Sequence, residues 1–361
     1  MFRHIVPALL WVLLGGYVVF AAAVSRRARA VRLVQRLAIE VKDSTSKGYL
    51  VTSDRVRSWI EQSDIPTLGT TVDAVDLTGV ERLIARNGFV KHVAAHVAHD
   101  GTLHVAIEPR RPLLRLVTED RNVYVTRKGY VFAMPRASSL YVPVVTGSYE
   151  PPFPADYVGD IRAWVDAEQA KIGRRIDELE RDKYPFYRRE MDITRRQREL
   201  RRRRISKGWF EPAEAFEARV AELREVKVQQ RRRYRYEARL VQAEIDRIAE
   251  RQEAQRERQK NLEKSYEDFM KLLTFVERVE DDDFWRSEVV QIIARTTPSG
   301  ALEVDLVPRS GRFRIRFGRL ENEEAKFDKL LDFYRRGLSK VGWDTYRTID
   351  VRFGNQVVCR R

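Results

Sequence analysis

The sequence predicts an α+β chain with an N-terminal transmembrane helix, a small β-α-α-β-β unit, and a second β-sheet domain interrupted by a long antiparallel helical hairpin. Three observations lead to this prediction. An uncharged apolar run covers residues 5–24, short strand-like segments separated by turn residues occupy two stretches, and a highly charged segment lies between those stretches. The apolar fraction of 43% supports folded cores rather than a disordered chain.

The apolar run has the length of a membrane anchor. A helix of about 20 residues rising ~1.5 Å each spans the ~30 Å hydrocarbon core. A cleaved signal peptide is the alternative, with the alanines at 21–23 as the cleavage site, although such peptides carry a shorter apolar core of roughly 7–15 residues. The positive-inside rule favours a cytoplasmic carboxyl side, because only Arg3 precedes the run. The arginines that follow it are Arg26, Arg27, Arg29, Arg32 and Arg36.

The first folded unit is predicted from alternation, capping and turn signals. A strand at 32–41 precedes a helix capped by Thr52, and a second helix begins at a capping box formed by Thr78 and Glu81. Strands at 89–98 and 102–108 follow. A turn at 99–101 with a bulge at its glycine places Val97 opposite Leu103, so that both apolar faces point the same way.

The second sheet domain is predicted from short β-rich segments with regular turn punctuation. Its predicted strands are 113–117, 123–126, 130–132, 142–145, 288–294, 302–307 and 313–317. A helix at 321–340 carries apolar residues at helical spacing, and a single last strand covers residues 348–358.

The charged segment at 160–266 is predicted to form two long antiparallel helices. Gly208 ends the first and Pro212 opens the second, while Pro185 kinks or splits the first. The apolar repeat is too irregular for a strict coiled coil. Residues 171–264 hold 29 Lys and Arg against 19 Asp and Glu, so most of the net charge of +15 lies here. The arginine runs at 201–204 and 231–233 indicate either an anionic ligand or a solvated hairpin.

No catalytic, cofactor-binding or metal-binding residue is predicted. The sequence lacks a nucleophile elbow, a phosphate-cradling glycine loop and an HExxH motif, and the aspartates at 281–283 suit a solvated turn. Histidines 92, 96 and 104 would share the outer face of one sheet and could hold zinc, but beyond Glu108 no fourth ligand or supporting carboxylate is evident. With one cysteine, Cys359, the chain forms no internal disulfide. We therefore expect no enzyme and no cofactor.

The order of elements after the anchor resembles a POTRA domain, and several segments resemble FtsQ-type bacterial cell-division proteins, especially the Bacteroidetes branch. The clearest is GTLHVAIEPRRP at residues 101–112. The similarity continues to the carboxyl end, but the charged hairpin at 160–266 interrupts it as an unusual helical insertion. The other similar segments are 123–125 with 128–129, 142–147, 283–285, 326–327 with 333–334, 342–343, Tyr346, 349–353 and 356–359.

The resemblance implies a non-catalytic, single-pass scaffold of the division machinery in the inner membrane, with a cytoplasmic amino terminus and its bulk in the periplasm. It implies recruitment of FtsB/DivIC-like and FtsL-like bitopic partners, and other divisome membrane proteins, through the POTRA unit and the last strand. Arg352 would pair with a partner carboxylate and Phe353 would fill an apolar slot. The implied partner-binding residues are Tyr346, Arg352, Phe353, Asn355 and Gln356.

The predicted organisation is a short cytoplasmic tail and anchor at 1–29, a POTRA-like domain at 30–111, a β-domain at 112–159 and 267–361, and the hairpin at 160–266. Two other functions remain open on the sequence. A membrane-tethered basic hairpin would bind RNA, anionic lipid or cell-wall polymer, although no motif for reading nucleic-acid sequence is present. An outer-membrane biogenesis factor would use its POTRA unit as a chaperone.

Overall fold

The computed structural model describes residues 11, 13–21, 32–42, 51–133, 140–354 and 356–361. Two compact units are present, residues 1–161 with 268–361, and residues 162–267. Residues 11 and 13–21 are helical. Half of the transmembrane helix predicted at 5–24 lies outside the described residues, and within them no helix is both long and apolar enough to cross a membrane.

A three-stranded sheet with two helices forms the first part of the larger unit. Strand β1 is parallel to the central β3, and β2 is antiparallel to it. Val97 lies opposite Leu103, and Gly101 closes the turn with φ +76°, which confirms the predicted register and turn. The elements are β1 Arg36–Val41, α1 Ser53–Glu61, a 3₁₀ turn Val72–Ala74, α2 Leu77–Ala85, β2 Val90–Val97 and β3 Thr102–Pro109.

The caps of the two helices explain where they begin. Thr52 accepts a hydrogen bond from the Arg55 amide, as predicted. The capping box predicted at Thr78 is wrong, because the cap of α2 lies two residues earlier, at Asp76, whose side chain accepts a hydrogen bond from the Gly79 amide at 2.8 Å. Glu81 accepts instead from the Ala95 amide at 2.8 Å, so its carboxylate ties α2 to β2. The buried core includes Val56, Ile60, Val80, Ile84, Leu103, Val105 and Ile107.

A ten-stranded sheet carries the rest of this unit, in the order β13-β12-β11-β10-β9-β7-β4-β5-β6-β8. Strand β7 is parallel to both neighbours, with Val145 opposite Leu116 and Ile292, and it joins the two stretches of sequence into one sheet. The strands are β4 Pro112–Val117, β5 Asn122–Thr126, β6 Tyr130–Ala133, β7 Val144–Thr146, β8 Gly159–Asp160, β9 Val289–Thr296, β10 Leu302–Pro308, β11 Arg314–Gly318, β12 Thr348–Asp350 and β13 Val358–Arg360.

The remaining helices are α3 Ile161–Arg202, α4 Ala213–Asp281, α5 Asp283–Glu288, α6 Glu323–Phe333 and α7 Ser339–Val341. The regular helix predicted at 321–340 is shorter, because Tyr334–Leu338 adopts a π-helical turn. Within that turn the buried Tyr334 hydroxyl donates to Glu288 at 3.1 Å, and such buried hydrogen bonds offset the poorer geometry of a π turn.

The carboxyl end of α4 lies in the core of the larger unit, which explains why this helix continues beyond residue 266, where the predicted hairpin ends. The Phe275 ring packs against Phe317 and Phe327, with ring centroids 5.0 and 5.6 Å apart. At the surface, Arg127 donates to Asp281 at 2.6 Å. Aromatic burial of this kind stabilises the helix more than its own propensity does.

The smaller unit consists of the facing parts of α3 and α4. Helix α3 continues through Pro185, so the predicted split is wrong. Contacts on both sides of Pro185 stabilise α3 and explain why the helix tolerates a proline in its interior. A small apolar cluster includes Ile193, Val241 and Ile245. On the other side, Lys183, only 8% exposed, donates to the buried Gln252 and to Glu180, which also accepts from Gln252 at 2.9 Å.

Candidate partner-binding site

The carboxyl end of the chain forms two short strands, which corrects the prediction of a single strand at 348–358. Strand β12 lies between two neighbours, with Ile349 opposite Ile315 of β11 and Cys359 of β13. Strand β13 pairs only with β12 among the described residues and therefore forms the end of the ten-stranded sheet. The strand open to extension by another chain is the three-residue β13 rather than the longer segment.

An aspartate side chain ends β12. The Asp350 carboxylate accepts from the Arg352 backbone amide at 3.1 Å, a turn that competes with strand pairing. Gly354 follows, and the chain then reverses into β13. The sequence after Ile349 alternates as a strand does, but this local hydrogen bond terminates the ladder.

Arg352 is held within the chain by the same carboxylate. Its Nη2 and Nε atoms donate to Asp350 at 2.7 and 3.0 Å, and the Asp350 side chain is only 8% exposed. Burial alone raises the pKa of Asp350, but the hydrogen bonds and charge of Arg352 outweigh burial and lower this pKa below its ordinary value. Gly318, at φ +75°, makes room for the Arg352 side chain, since an added Cβ would lie 2.6 Å from Arg352 Cδ.

Lys329 of α6 fixes the segment that follows. Its ammonium group donates to the carbonyl oxygens of Val351 at 2.9 Å and Gly354 at 3.3 Å, and also to that of Phe353. Burial lowers the pKa of Lys329. Three carbonyl acceptors satisfy the three donors of the ammonium, so this lysine clamps residues 351–354 against α6.

An open groove of about 770 Å³ lies between this clamped segment and the first turns of α6. Its walls hold Arg278, Lys326, Lys329 and Arg352 together with carboxylates of α6, and the Phe353 ring, 45% exposed, lines it too. The groove therefore combines one apolar ring with charges of both signs, which suits an amphipathic segment of another protein.

Two family models match the chain. The model described as FtsQ/DivIB, C-terminal related, matches residues 223–360, and a POTRA-like domain model matches residues 32–108. The chain is an FtsQ-type division protein. No protein in a search of curated sequences matches it.

The family matches cover two separate parts of this FtsQ-type protein. The POTRA-like match covers the three-stranded sheet and its two helices, and the C-terminal match covers β9 to β13 with the groove. A role in cell division, with protein partners in the division machinery in general, follows from this membership. Neither match covers residues 109–222, which include α3 and the turn that follows it.

The predicted partner-binding residues are only partly brought together. Arg352 and Phe353 both line the groove. Gln356 is exposed in the connection to β13, whereas Asn355 lies outside the described residues. Tyr346 is half-buried before β12, where its ring packs 6.4 Å from that of Phe333. The binding role of all five residues remains a prediction.

Sequence reasoning missed Asp350 and Lys329, the two residues that shape this site. A signal for the missed turn was present, since a Gly-Asn dipeptide at 354–355 between alternating residues is typical of a hairpin connection. Nothing in the sequence pointed to Lys329. The stacked rings of His96 and His104 lie 5.2 Å apart on the first sheet, and no group of three metal-ligating side chains is assembled within the described ranges.

Proposed function

We propose that this FtsQ-type protein is a non-catalytic, single-pass scaffold of the inner membrane, with its amino terminus in the cytoplasm and its bulk in the periplasm. It recruits a bitopic division protein of the FtsB/DivIC type, and with it an FtsL-like protein. The observation that carries the proposal is the position of β13 at the end of the sheet, with one hydrogen-bonded neighbour.

The physical basis of recruitment is β-strand addition. An edge strand presents unpaired N–H and C=O groups, and a partner strand that pairs with them gains affinity from the backbone and specificity from neighbouring pockets. The groove beside residues 351–354 supplies such a pocket, with Phe353 as its apolar contact. Arg352 contributes through Asp350, since the pair holds the groove wall in place.

Capture of a tagged FtsB/DivIC-like protein by the full-length chain in detergent tests this proposal. We expect deletion of residues 358–361 to abolish capture, and Phe353→Ala to weaken it about 10- to 100-fold, the range typical of a buried aromatic anchor. Tyr141→Ala is the matched control, since that ring is 85% exposed elsewhere in the same unit. Undiminished capture by both the deletion and Phe353→Ala, with β9–β11 still protected from hydrogen exchange, would refute recruitment at this edge.

The membrane topology has its own test. A carboxyl-terminal alkaline phosphatase fusion should be active, since that enzyme folds only outside the cytoplasm. An inactive reporter on a stable fusion would overturn the periplasmic placement. Depletion of the protein should give filamentous cells, whereas a loss of outer-membrane porins would favour the biogenesis alternative.

A further inference from the structure

The turn between α3 and α4 has a defined backbone. Three side-chain contacts hold it: Lys227 donates to the Arg203 carbonyl, Arg219 donates to the Ser206 carbonyl at 3.2 Å, and the Gly208 amide donates to Glu211 at 2.8 Å. The segment from Arg203 to Pro212 is therefore anchored by its own polar contacts.

Two adjacent aromatic side chains project from this turn. Trp209 is 95% exposed and Phe210 is 94% exposed, so within the described residues neither ring packs against the chain. Isolated exposed apolar residues are ordinary. A tryptophan and a phenylalanine side by side at nearly full exposure, on a turn held by other contacts, form an apolar surface that folding itself does not use.

The positive charges near the two rings have few carboxylates to balance them. Arg201, Arg202, Arg203, Arg204 and Lys207 are exposed, and none of their side chains forms an ion pair in the part of the chain described. The one carboxylate of the turn, Glu211, pairs with Arg219 at 3.2 Å and is only 13% exposed. Some arginines along the helices, such as Arg195 and Arg233, do have carboxylate partners on their own helix. The outer surface of the turn is thus cationic.

We propose that this turn, together with the last two residues of α3 (residues 201–212 in all), is a docking site for the surface of an anionic phospholipid bilayer. Trp209 enters the interfacial layer, where its amphipathic ring is favoured, Phe210 buries apolar surface beside it, and the arginines contact lipid phosphates. Each cation near an anionic surface adds affinity that falls with salt. Single-stranded nucleic acid fits this turn less well. Proteins that bind it carry aromatic rings at intervals along a basic groove, where successive bases stack, whereas Trp209 and Phe210 are consecutive residues of one turn. The site is independent of β13 and its groove.

The test places an environment-sensitive fluorophore on the turn of the full-length chain. Ser206→Cys in a Cys359→Ser background carries the dye, and the chain is held in phosphatidylcholine nanodiscs. Phosphatidylglycerol is supplied either in the disc or in added vesicles, with phosphatidylcholine alone as the reference. We expect a blue shift that requires phosphatidylglycerol and is reversed by high salt. No shift in either arm, or an equal shift with phosphatidylcholine alone, overturns the proposal.

Variants separate the turn from the general basicity of the hairpin. Trp209→Ala with Phe210→Ala should weaken vesicle binding at least ~10-fold through lost apolar burial. Arg203→Gln with Arg204→Gln should weaken it about 30-fold, from two cations at an anionic surface. The matched control removes two other exposed arginines that have no ion pair among the described residues, Arg231 and Arg232, and should change binding less than about 3-fold.

Two results would overturn the assignment. Equal losses from the two arginine pairs would show that bulk charge, and not the turn, binds the vesicles. An oligoribonucleotide that binds the chain more tightly than the vesicles do, and that needs Trp209, would assign the site to nucleic acid. Apart from Cys359, which is half-buried, all substituted side chains are exposed, so unchanged far-ultraviolet circular dichroism is expected and serves as the folding control.

Discussion

Asp350→Asn should loosen the wall of the groove without disturbing the sheet behind it. The carboxylate accepts hydrogen bonds from three donors of Arg352, the backbone amide, Nε and Nη2, at 3.1, 3.0 and 2.7 Å. Asparagine keeps one acceptor oxygen but turns an amide donor toward the guanidinium. It also removes the charge that partners Arg352.

The magnitude follows from the burial of the two partners. Hydrogen bonds to a charged group contribute about 1.5–3 kcal/mol, and the 35% exposure of the Arg352 side chain allows water to replace part of the loss. We therefore expect a cost of about 1–2 kcal/mol. Because Arg352 lowers the Asp350 pKa in the folded chain, this stabilisation is present above the unfolded pKa of about 3.9 and is lost as the pH falls through the folded value.

Hydrogen exchange of residues 345–361, followed by mass spectrometry, measures the effect. At pH 7 exchange should be about 5- to 30-fold faster in Asp350→Asn, and the difference from wild type should shrink below about pH 4. Asp332→Asn is the matched control, because that carboxylate is 62% exposed and lies 3.9 Å from Arg336, a surface pair that contributes ~0–1 kcal/mol. Equal acceleration by both variants would refute the assigned role of Asp350.

Three further substitutions probe other parts of the fold. Gly318→Ala introduces a side chain at φ +75° and against Arg352, so it should lower the free energy of unfolding by about 1–2 kcal/mol and speed exchange in the same terminal segment. Gln252→Ala removes a buried partner of Lys183 and should destabilise the helical unit by about 1–3 kcal/mol, seen as a lower Tm by circular dichroism. Phe327→Ala leaves a cavity beside Phe275 and should cost about 3–5 kcal/mol in urea unfolding; an unchanged midpoint would contradict this packing.

The parts of the fold predicted correctly are those set by local sequence. The pairing of Val97 with Leu103 follows from alternation on two neighbouring segments and from a turn whose glycine fixes the register. The start of α1 at Thr52 follows from a capping preference. In both cases the residues that decide the structure lie within a few positions of one another, so no tertiary information is required.

The sequence predictions are wrong where a side chain has two possible hydrogen-bond partners, or where its partner is distant in the sequence. Glu81 is suited to a capping box, but it contacts β2, a choice that depends on tertiary packing. The segment after Ile349 has the alternation of one strand, and the hydrogen bond from the Arg352 amide to Asp350 divides it. Lys329 donates to three carbonyl groups that lie more than twenty residues later in the sequence. Helical and strand periodicity and capping motifs relate residues only a few positions apart, so they cannot predict these contacts.

Strand order explains how this protein accommodates the long helices of residues 162–267 while β13 stays at one end of the sheet. The first inserted helix, α3, begins directly after β8, and β8 and β13 occupy opposite ends of the ten-stranded sheet with eight strands between them. The chain returns through the carboxyl end of α4, where Phe275 packs against Phe317 and Phe327. The chain leaves the sheet after β8 and re-enters the larger unit at residue 268, and neither point lies in the pairing of β9 to β13. Length and charge can therefore vary in the inserted helices while β13 keeps its register with β12, because no residue of 162–267 takes part in that ladder.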